Sequence, residues 1–99
     1  MDARIITKAP KDLSIEKVEE FIIPMFEGLL ELEIPVYGFG YEPEEGIFVI
    51  GPREELKKLR NTNIEDFDFR YYISHTDRTF WAVDLTEGIE NLKLNRYKK

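Results

Sequence analysis

The chain has 99 residues, which is the size of one domain with one modest hydrophobic core. It contains no cysteine, which excludes disulfides, thiolate metal sites and a cysteine nucleophile. No apolar run approaches the roughly 20 residues needed to cross a bilayer, and the first residues do not resemble a signal peptide. The expectation is therefore a soluble protein of the cytoplasm.

The composition points to a hot habitat. Charged residues make up 34% of the chain, against a typical share of about 25%. Glutamine is absent, as cysteine is. A gain in Glu, Lys and Arg with a loss of Cys and Gln is typical of proteins from thermophiles. The sequence therefore predicts a thermostable protein.

The net charge of −6 is unevenly distributed. Residues 12–55 hold twelve acidic and two basic residues, whereas residues 1–11 and 56–99 each carry a small positive excess. A negative surface repels DNA and anionic membranes, so nucleic-acid binding by the domain as a whole is disfavoured. The same surface suits a basic protein partner, although high surface charge also serves solubility alone.

Residues 14–32 form the longest apolar-periodic segment, and they predict the helix on which the rest of the domain packs. Ser14 suits the N-cap, because its hydroxyl can accept a hydrogen bond from a first-turn amide. Pro24 removes one helical hydrogen bond, which favours a kink there over a second helix beginning at Pro24. The apolar stripe consists of Ile15, Val18, Phe21, Ile22, Met25, Phe26, Leu29, Leu30 and Leu32.

Five glutamates of this helix lie mostly off the apolar stripe, and they form a predicted acidic face: Glu16, Glu19, Glu20, Glu27 and Glu31. Such a face attracts a basic partner by long-range electrostatics more than by fixed ion pairs. The sequence therefore predicts partner binding here. The plainer alternative is a solvated helix surface.

Two strands are predicted around the long helix. Residues 4–7 are rich in β-branched side chains and are predicted to form the first strand. Residues 36–41 form the second, with Tyr37, Phe39 and Tyr41 on one face and two glycines on the other, where the helix is expected to lie. The aromatic face either packs internally or stacks nucleic-acid bases, and the neighbouring acidic residues favour packing.

The middle of the chain predicts a hairpin and a short helix. Residues 42–46 are polar and rich in Pro, Gly and Glu, so they predict a solvated turn. Residues 47–50 are apolar on both faces and predict a central strand paired with the second. Residues 52–60 predict a surface helix with Pro52 at its first position.

The last third predicts β-structure. Residues 67–74 alternate between apolar and polar, and residues 79–85 alternate again, which predicts an antiparallel hairpin. Asp84 would then pair with Arg70 across it. Residues 89–94 predict an edge strand.

The element order is β-α-β-β-α-β followed by one or two strands. It predicts one α+β domain over residues 1–95, with a mostly antiparallel sheet, a long kinked helix and a short helix, followed by a basic tail at residues 96–99. The arrangement is a ferredoxin-like variant or a novel one. This topology alone carries no information on function.

No catalytic, cofactor-binding or metal site is predicted. His75 lies beside Asp77 and Arg78, residue types that can perform acid–base or phosphate chemistry. A polar turn contains the same residues for no chemical reason, and the chain has no second histidine to support a site.

Three short stretches carry a resemblance to a known group of proteins. They are Val-Tyr-Gly-Phe-Gly at 36–40, Gly-Ile-Phe-Val-Ile-Gly-Pro at 46–52 and Ser-His-Thr-Asp-Arg at 74–78. With them the chain resembles small proteins of filamentous or rod-shaped viruses of hyperthermophilic archaea, the lipothrixvirus and rudivirus group. The resemblance implies a protein of the host cytoplasm without known catalytic residues.

The sequence thus favours a non-enzymatic protein that binds a host or viral partner through its acidic helix face. An alternative is nucleic-acid binding by the basic C-terminal half, and homodimerisation through an aromatic face or an edge strand is a further one. The basic half would use Arg70, Arg78, Lys93, Arg96, Lys98 and Lys99 together with Tyr97.

Overall fold

The computed structural model describes residues 1–60, 62–86, 88–90 and 92–97. Within these ranges the chain forms six strands and three helices. In chain order they are β1 (Asp2–Ile6), α1 (Ile15–Glu31), β2 (Gly38–Glu42), β3 (Gly46–Pro52), α2 (Arg53–Leu56), β4 (Ile64–Asp66), α3 (Phe69–His75), β5 (Phe80–Asp84) and β6 (Asn95–Tyr97).

The six strands form one sheet in the order β4-β1-β3-β2-β5-β6, and each pair of neighbours is antiparallel. β3 lies between β1 and β2, so the first six elements have the split β-α-β arrangement of ferredoxin-like domains. β5 and β6 extend the sheet beyond β2. The predicted α+β class with one mostly antiparallel sheet is confirmed.

α1 packs on one face of the sheet. Ser14 caps it, since its hydroxyl accepts a hydrogen bond from the Lys17 amide at 3.3 Å. The helix runs through Pro24, which is exposed, so the carbonyl that loses its helical donor lies on the solvent side. Its buried residues are Val18, Ile22, Phe26 and Leu29, and they join Ala3, Ile5, Phe39, Tyr41, Ile47, Val49 and Val83 in the larger core.

The residues that follow α1 close it with a Schellman motif. The Ile34 amide donates to the carbonyl of Leu29 and the Glu33 amide to that of Leu30, both at 3.0 Å. Glu33 adopts a φ of 57°, the left-handed conformation that this motif requires. The helix therefore ends by local hydrogen bonding before Pro35 is reached.

α3 packs on the opposite face of the sheet, over a core made largely of aromatic rings. Phe48 is fully buried at its centre, and Phe67 and Tyr72 contact it. Phe69, Phe80 and Tyr97 extend the cluster toward β6. The sheet is thus covered on both faces.

The structure corrects the prediction of a strand at residues 67–74. These residues instead include α3, and Asp68 is its N-cap, accepting from the Tyr71 amide at 3.1 Å. The alternation of Phe67, Phe69 and Tyr71 therefore does not reflect a strand. β5 confirms the strand at residues 79–85, but it pairs with β2 and β6.

The predicted pairing of Asp84 with Arg70 is also wrong. Asp84 instead accepts hydrogen bonds from the amide and hydroxyl of Thr86, at 2.9 and 2.8 Å. With α3 in place of a strand, no hairpin holds Arg70 opposite Asp84.

The glycines of β2 lie on the face opposite to the predicted one. α1 covers the side of Phe39 and Tyr41, which are buried, whereas Tyr37 is exposed. Gly40 lies directly under the Phe48 ring, which fills the place a side chain would take. Burial of Phe39 and Tyr41 makes them unavailable for stacking with bases.

Three smaller predictions also differ from the structure. α2 ends at Leu56, short of Arg60, and turns follow it. The last strand is β6, and the predicted strand at residues 89–94 is wrong in the described part of that range. Arg96 and Tyr97, predicted as tail, belong to the sheet, whereas Lys98 and Lys99 lie outside the described residues.

Candidate functional site

α1 places four of its five predicted partner-binding glutamates in solvent: Glu16, Glu20, Glu27 and Glu31. Glu19 differs, because it is half-buried and its carboxylate accepts a hydrogen bond from the Leu94 amide at 3.0 Å. This hydrogen bond holds the segment before β6 against α1. Glu19 therefore has a structural role, and the other four glutamates remain exposed.

Two apolar side chains are exposed on the same side of α1. Ile23 is 42% exposed and Leu30 is 57% exposed. They are seven residues apart, which is two helical turns, so they lie on one line beside the glutamates. The apolar stripe predicted for the helix includes Leu30 and Leu32, and the exposure of both corrects that prediction.

We call the set formed by Glu16, Glu20, Ile23, Glu27, Leu30 and Glu31 the exposed α1 face. Interfaces typically combine apolar and polar side chains, and this face has an apolar line with exposed glutamates along one side of it. One of its charges is partly compensated, since Lys17 lies 3.2 Å from Glu20, but both side chains are well exposed. Exposed ion pairs of this kind contribute little and break readily.

A second feature lies at the turn between β2 and β3, on the α3 side of the sheet. The composition of residues 42–46 predicts a solvated turn, but Glu42 is only 2% exposed, so the prediction is wrong for that residue. Arg78 Nη1 lies 3.5 Å from Glu42 and 3.6 Å from Glu44. Arg78 is distant in sequence, so no local pattern could reveal the burial of Glu42.

Arg4 extends this group into an ion-pair network. Its guanidinium lies 3.2 Å from Glu45 and 3.1 Å from Glu65, and it also lies over the Phe48 ring, 5.0 Å from the centroid. Networks that join several charges are the arrangement enriched in hyperthermophile proteins. The turn is therefore a structural element of the fold.

Burial raises the pKa of Glu42, and the negative charge of Glu45 raises it further, while Arg78 opposes both effects. The nearby Glu42 carboxylate in turn raises the pKa of Arg78. A carboxyl group with a raised pKa can serve as a general acid, but a catalyst must be within reach of its substrate. Glu42 is buried, and it lines neither the groove between α1 and β1 nor the smaller cavity beside Phe69 and Tyr97, so we build no catalytic proposal on it.

The raised pKa of Glu42 leads to a prediction of pH-dependent stability. A carboxyl group whose pKa is higher in the folded state favours folding when protonated, and this contribution is lost as the pH rises through the folded-state value. Glu42→Gln cannot ionise at this position. Its melting temperature should therefore rise relative to that of the wild type as the pH increases from below 4.5 to neutral. Glu44→Gln controls for loss of one charge beside Arg78. A shift in favour of the wild type would mean that Arg78 stabilises the carboxylate more than burial penalises it.

His75 is exposed at the end of α3. Its ring stacks on Tyr71 with the centroids 3.8 Å apart, and its Nδ1 lies 2.9 Å from the Tyr71 carbonyl oxygen. Among the described residues, no three His, Asp or Glu side chains form a group suited to a metal ion. The contacts of His75 are thus those of a side chain that closes a helix end.

Two of the basic residues predicted for a nucleic-acid surface have partners within the domain. Arg78 is engaged by three glutamates, and Arg96 lies over the Trp81 ring. The Tyr97 ring stacks on Phe80, so that face is covered. No specific observation therefore favours a nucleic-acid surface here.

Comparisons with known protein families, curated proteins and solved structures give no match for this chain. Among the described residues, no helix combines the length and the apolar character that crossing a membrane requires.

Proposed function

We propose that this chain is a non-enzymatic interaction protein whose exposed α1 face binds a basic surface on a protein partner. The observation that carries the proposal is the exposure of Ile23 and Leu30 beside a row of exposed glutamates. Single exposed apolar residues are common on protein surfaces and need no explanation. Two on one helix line, with four like charges beside them, form an amphipathic surface that suits a basic partner.

The charges and the apolar residues would have different roles in binding. The four glutamates steer a basic partner toward α1 and set the orientation of the encounter. Ile23 and Leu30 then lose their water and supply the part of the affinity that does not depend on salt. A partner surface that normally binds nucleic acid has the required positive charge. The proposed viral origin fits this role, because such a protein would compete for a host surface.

The test is capture of partners from a lysate of the source organism, with the bound proteins identified by mass spectrometry. The variant carries Glu20→Lys, Glu27→Lys and Glu31→Lys, which leave the N-cap and the buried face of α1 unchanged. We expect capture of a basic protein to fall by about tenfold or more at low salt. At high salt the two proteins should differ less, because screening weakens the attraction of the wild type.

A matched control reverses three exposed acidic residues elsewhere: Glu54→Lys, Asp77→Lys and Glu90→Lys. Both sets change the net charge equally, so a specific role for α1 requires that only the first set reduces capture. A second variant, Ile23→Ser with Leu30→Ser, should weaken capture at both salt concentrations. Equal capture by all variants would show that the acidic face is only a solubility device.

A further inference from the structure

A groove of about 990 Å³ lies between the C-terminal half of α1 and the β1–β4 side of the sheet. We call it the α1 groove. Its volume is at the upper end of the range, roughly 300–1,000 Å³, that small-molecule sites occupy. Most of the walls are apolar, and they include Ile5, Met25, Leu29, Leu32, Val49 and Leu59.

Gly28 keeps one wall of this groove open. A Cβ atom placed on Gly28 would meet nothing within 4 Å, so the space beside the helix is unfilled. Glycine inside a helix is less favourable than alanine, and the fold gains no close backbone contact here in return. The missing side chain therefore leaves a space that no core residue of this domain fills and that is available to a ligand.

The mouth of the groove is positive, although the chain carries a net charge of −6. Lys8 and Arg60 line it and are exposed, and neither lies within 4 Å of a carboxylate among the described residues. Glu65 also lines the groove, but its carboxylate is engaged by Arg4 at 3.1 Å. An apolar groove with two available cations at its mouth is complementary to an amphipathic anion.

We propose that the α1 groove binds a medium-chain fatty carboxylate. The apolar chain would lie along Met25, Gly28 and Leu29, and the carboxylate would meet Lys8 and Arg60. The two cations distinguish this ligand from an uncharged apolar molecule, which would bury the same surface without using them. The proposal is independent of the exposed α1 face, which lies on the other side of the helix.

The first experiment is a titration of the intact chain with octanoate, decanoate and dodecanoate below their micelle concentrations. Isothermal calorimetry gives the dissociation constants, and amide chemical shifts locate the site. Burial of the chain should lower the dissociation constant by about fourfold per added methylene. Shifts should centre on Gly28 and Lys8 and should spare Ile23. Absence of binding, or shifts spread over the whole surface, would overturn the proposal.

Variants separate the groove from nonspecific adsorption. Gly28→Leu fills the open wall and improves helix propensity, so it should fold and yet weaken decanoate binding by at least about tenfold. Ser74→Leu adds the same side chain at an exposed, uncharged position of α3, on the opposite face of the sheet, and should bind as the wild type does. Equal binding by the two variants would exclude the α1 groove as the site.

The role of the cations is tested with decanol. Lys8→Glu combined with Arg60→Glu should weaken decanoate binding by about tenfold or more and leave decanol binding nearly unchanged. If both ligands lose affinity equally, or if neither does, the groove is not an anion site and an apolar peptide becomes the better occupant. A chain that captures a basic partner but ignores decanoate would overturn this inference alone.

Discussion

Replacing Phe48 by alanine should lower the free energy of unfolding by about 3–5 kcal/mol. The side chain is fully buried and contacts Phe67 and Tyr72. Its ring also covers Gly40 and lies under the guanidinium of Arg4. Removal of the ring would leave a cavity bounded by rigid neighbours, because β2 has no side chain at Gly40 that could fill it.

Guanidinium unfolding followed by the fluorescence of Trp81, the only tryptophan, measures this loss. Tyr71→Ala is the control, since Tyr71 is an aromatic residue of α3 but is 62% exposed. It should change stability by well under 1 kcal/mol. A loss below about 1 kcal/mol for Phe48→Ala would show that the aromatic face is loosely packed.

Gly38→Ala should destabilise the protein by about 3 kcal/mol or more, a large effect for one methyl group. A Cβ atom at Gly38 would collide with the backbone carbonyl of Val83 on β5. A clash with a side chain can be relieved by rotation about its bonds, but a clash with the backbone of a paired strand cannot. β5 pairs with β2 from Trp81 to Asp84, so relief would require separating β2 from β5 at this end of the pair.

Gly28→Ala is the matched control for this substitution. Its Cβ atom meets nothing within 4 Å, and alanine favours the helix, so we expect a gain of up to about 1 kcal/mol. The same denaturant curves report both variants. If Gly38→Ala unfolds at the wild-type denaturant concentration, β2 and β5 are not as closely paired as the structure has them.

The sequence correctly predicts those elements whose apolar pattern fits only one type of secondary structure. α1 carries an apolar stripe over five turns with a capping serine, and β3 is apolar on both faces, so both were predicted correctly. α3 is different, because alternation at Phe67, Phe69 and Tyr71 resembles a strand. The spacing of Phe69 and Tyr72 fits a helix equally well, and Asp68 three residues before Tyr71 was the available indication.

The functional surfaces were predictable only in part. The sequence located the glutamates of α1, but the inward bond of Glu19 depends on Leu94, which is far along the chain. The exposure of Ile23 and Leu30 depends on the orientation of α1 about its own axis. The apolar stripe defines that orientation only approximately. The α1 groove depends on residues from α1, β1, β3 and the segment after α2, so no single stretch could reveal it.

The two strands at the margins of the sheet bear on how the protein behaves at high concentration. β4 and β6 have three residues each, so an edge offers few free amides and carbonyls to another chain. Charged side chains mark both edges, at Glu65 and Asp66 on β4 and at Arg96 on β6. Short, charged edges oppose the joining of sheets into fibrils, and a protein that must tolerate heat would gain resistance to aggregation from them.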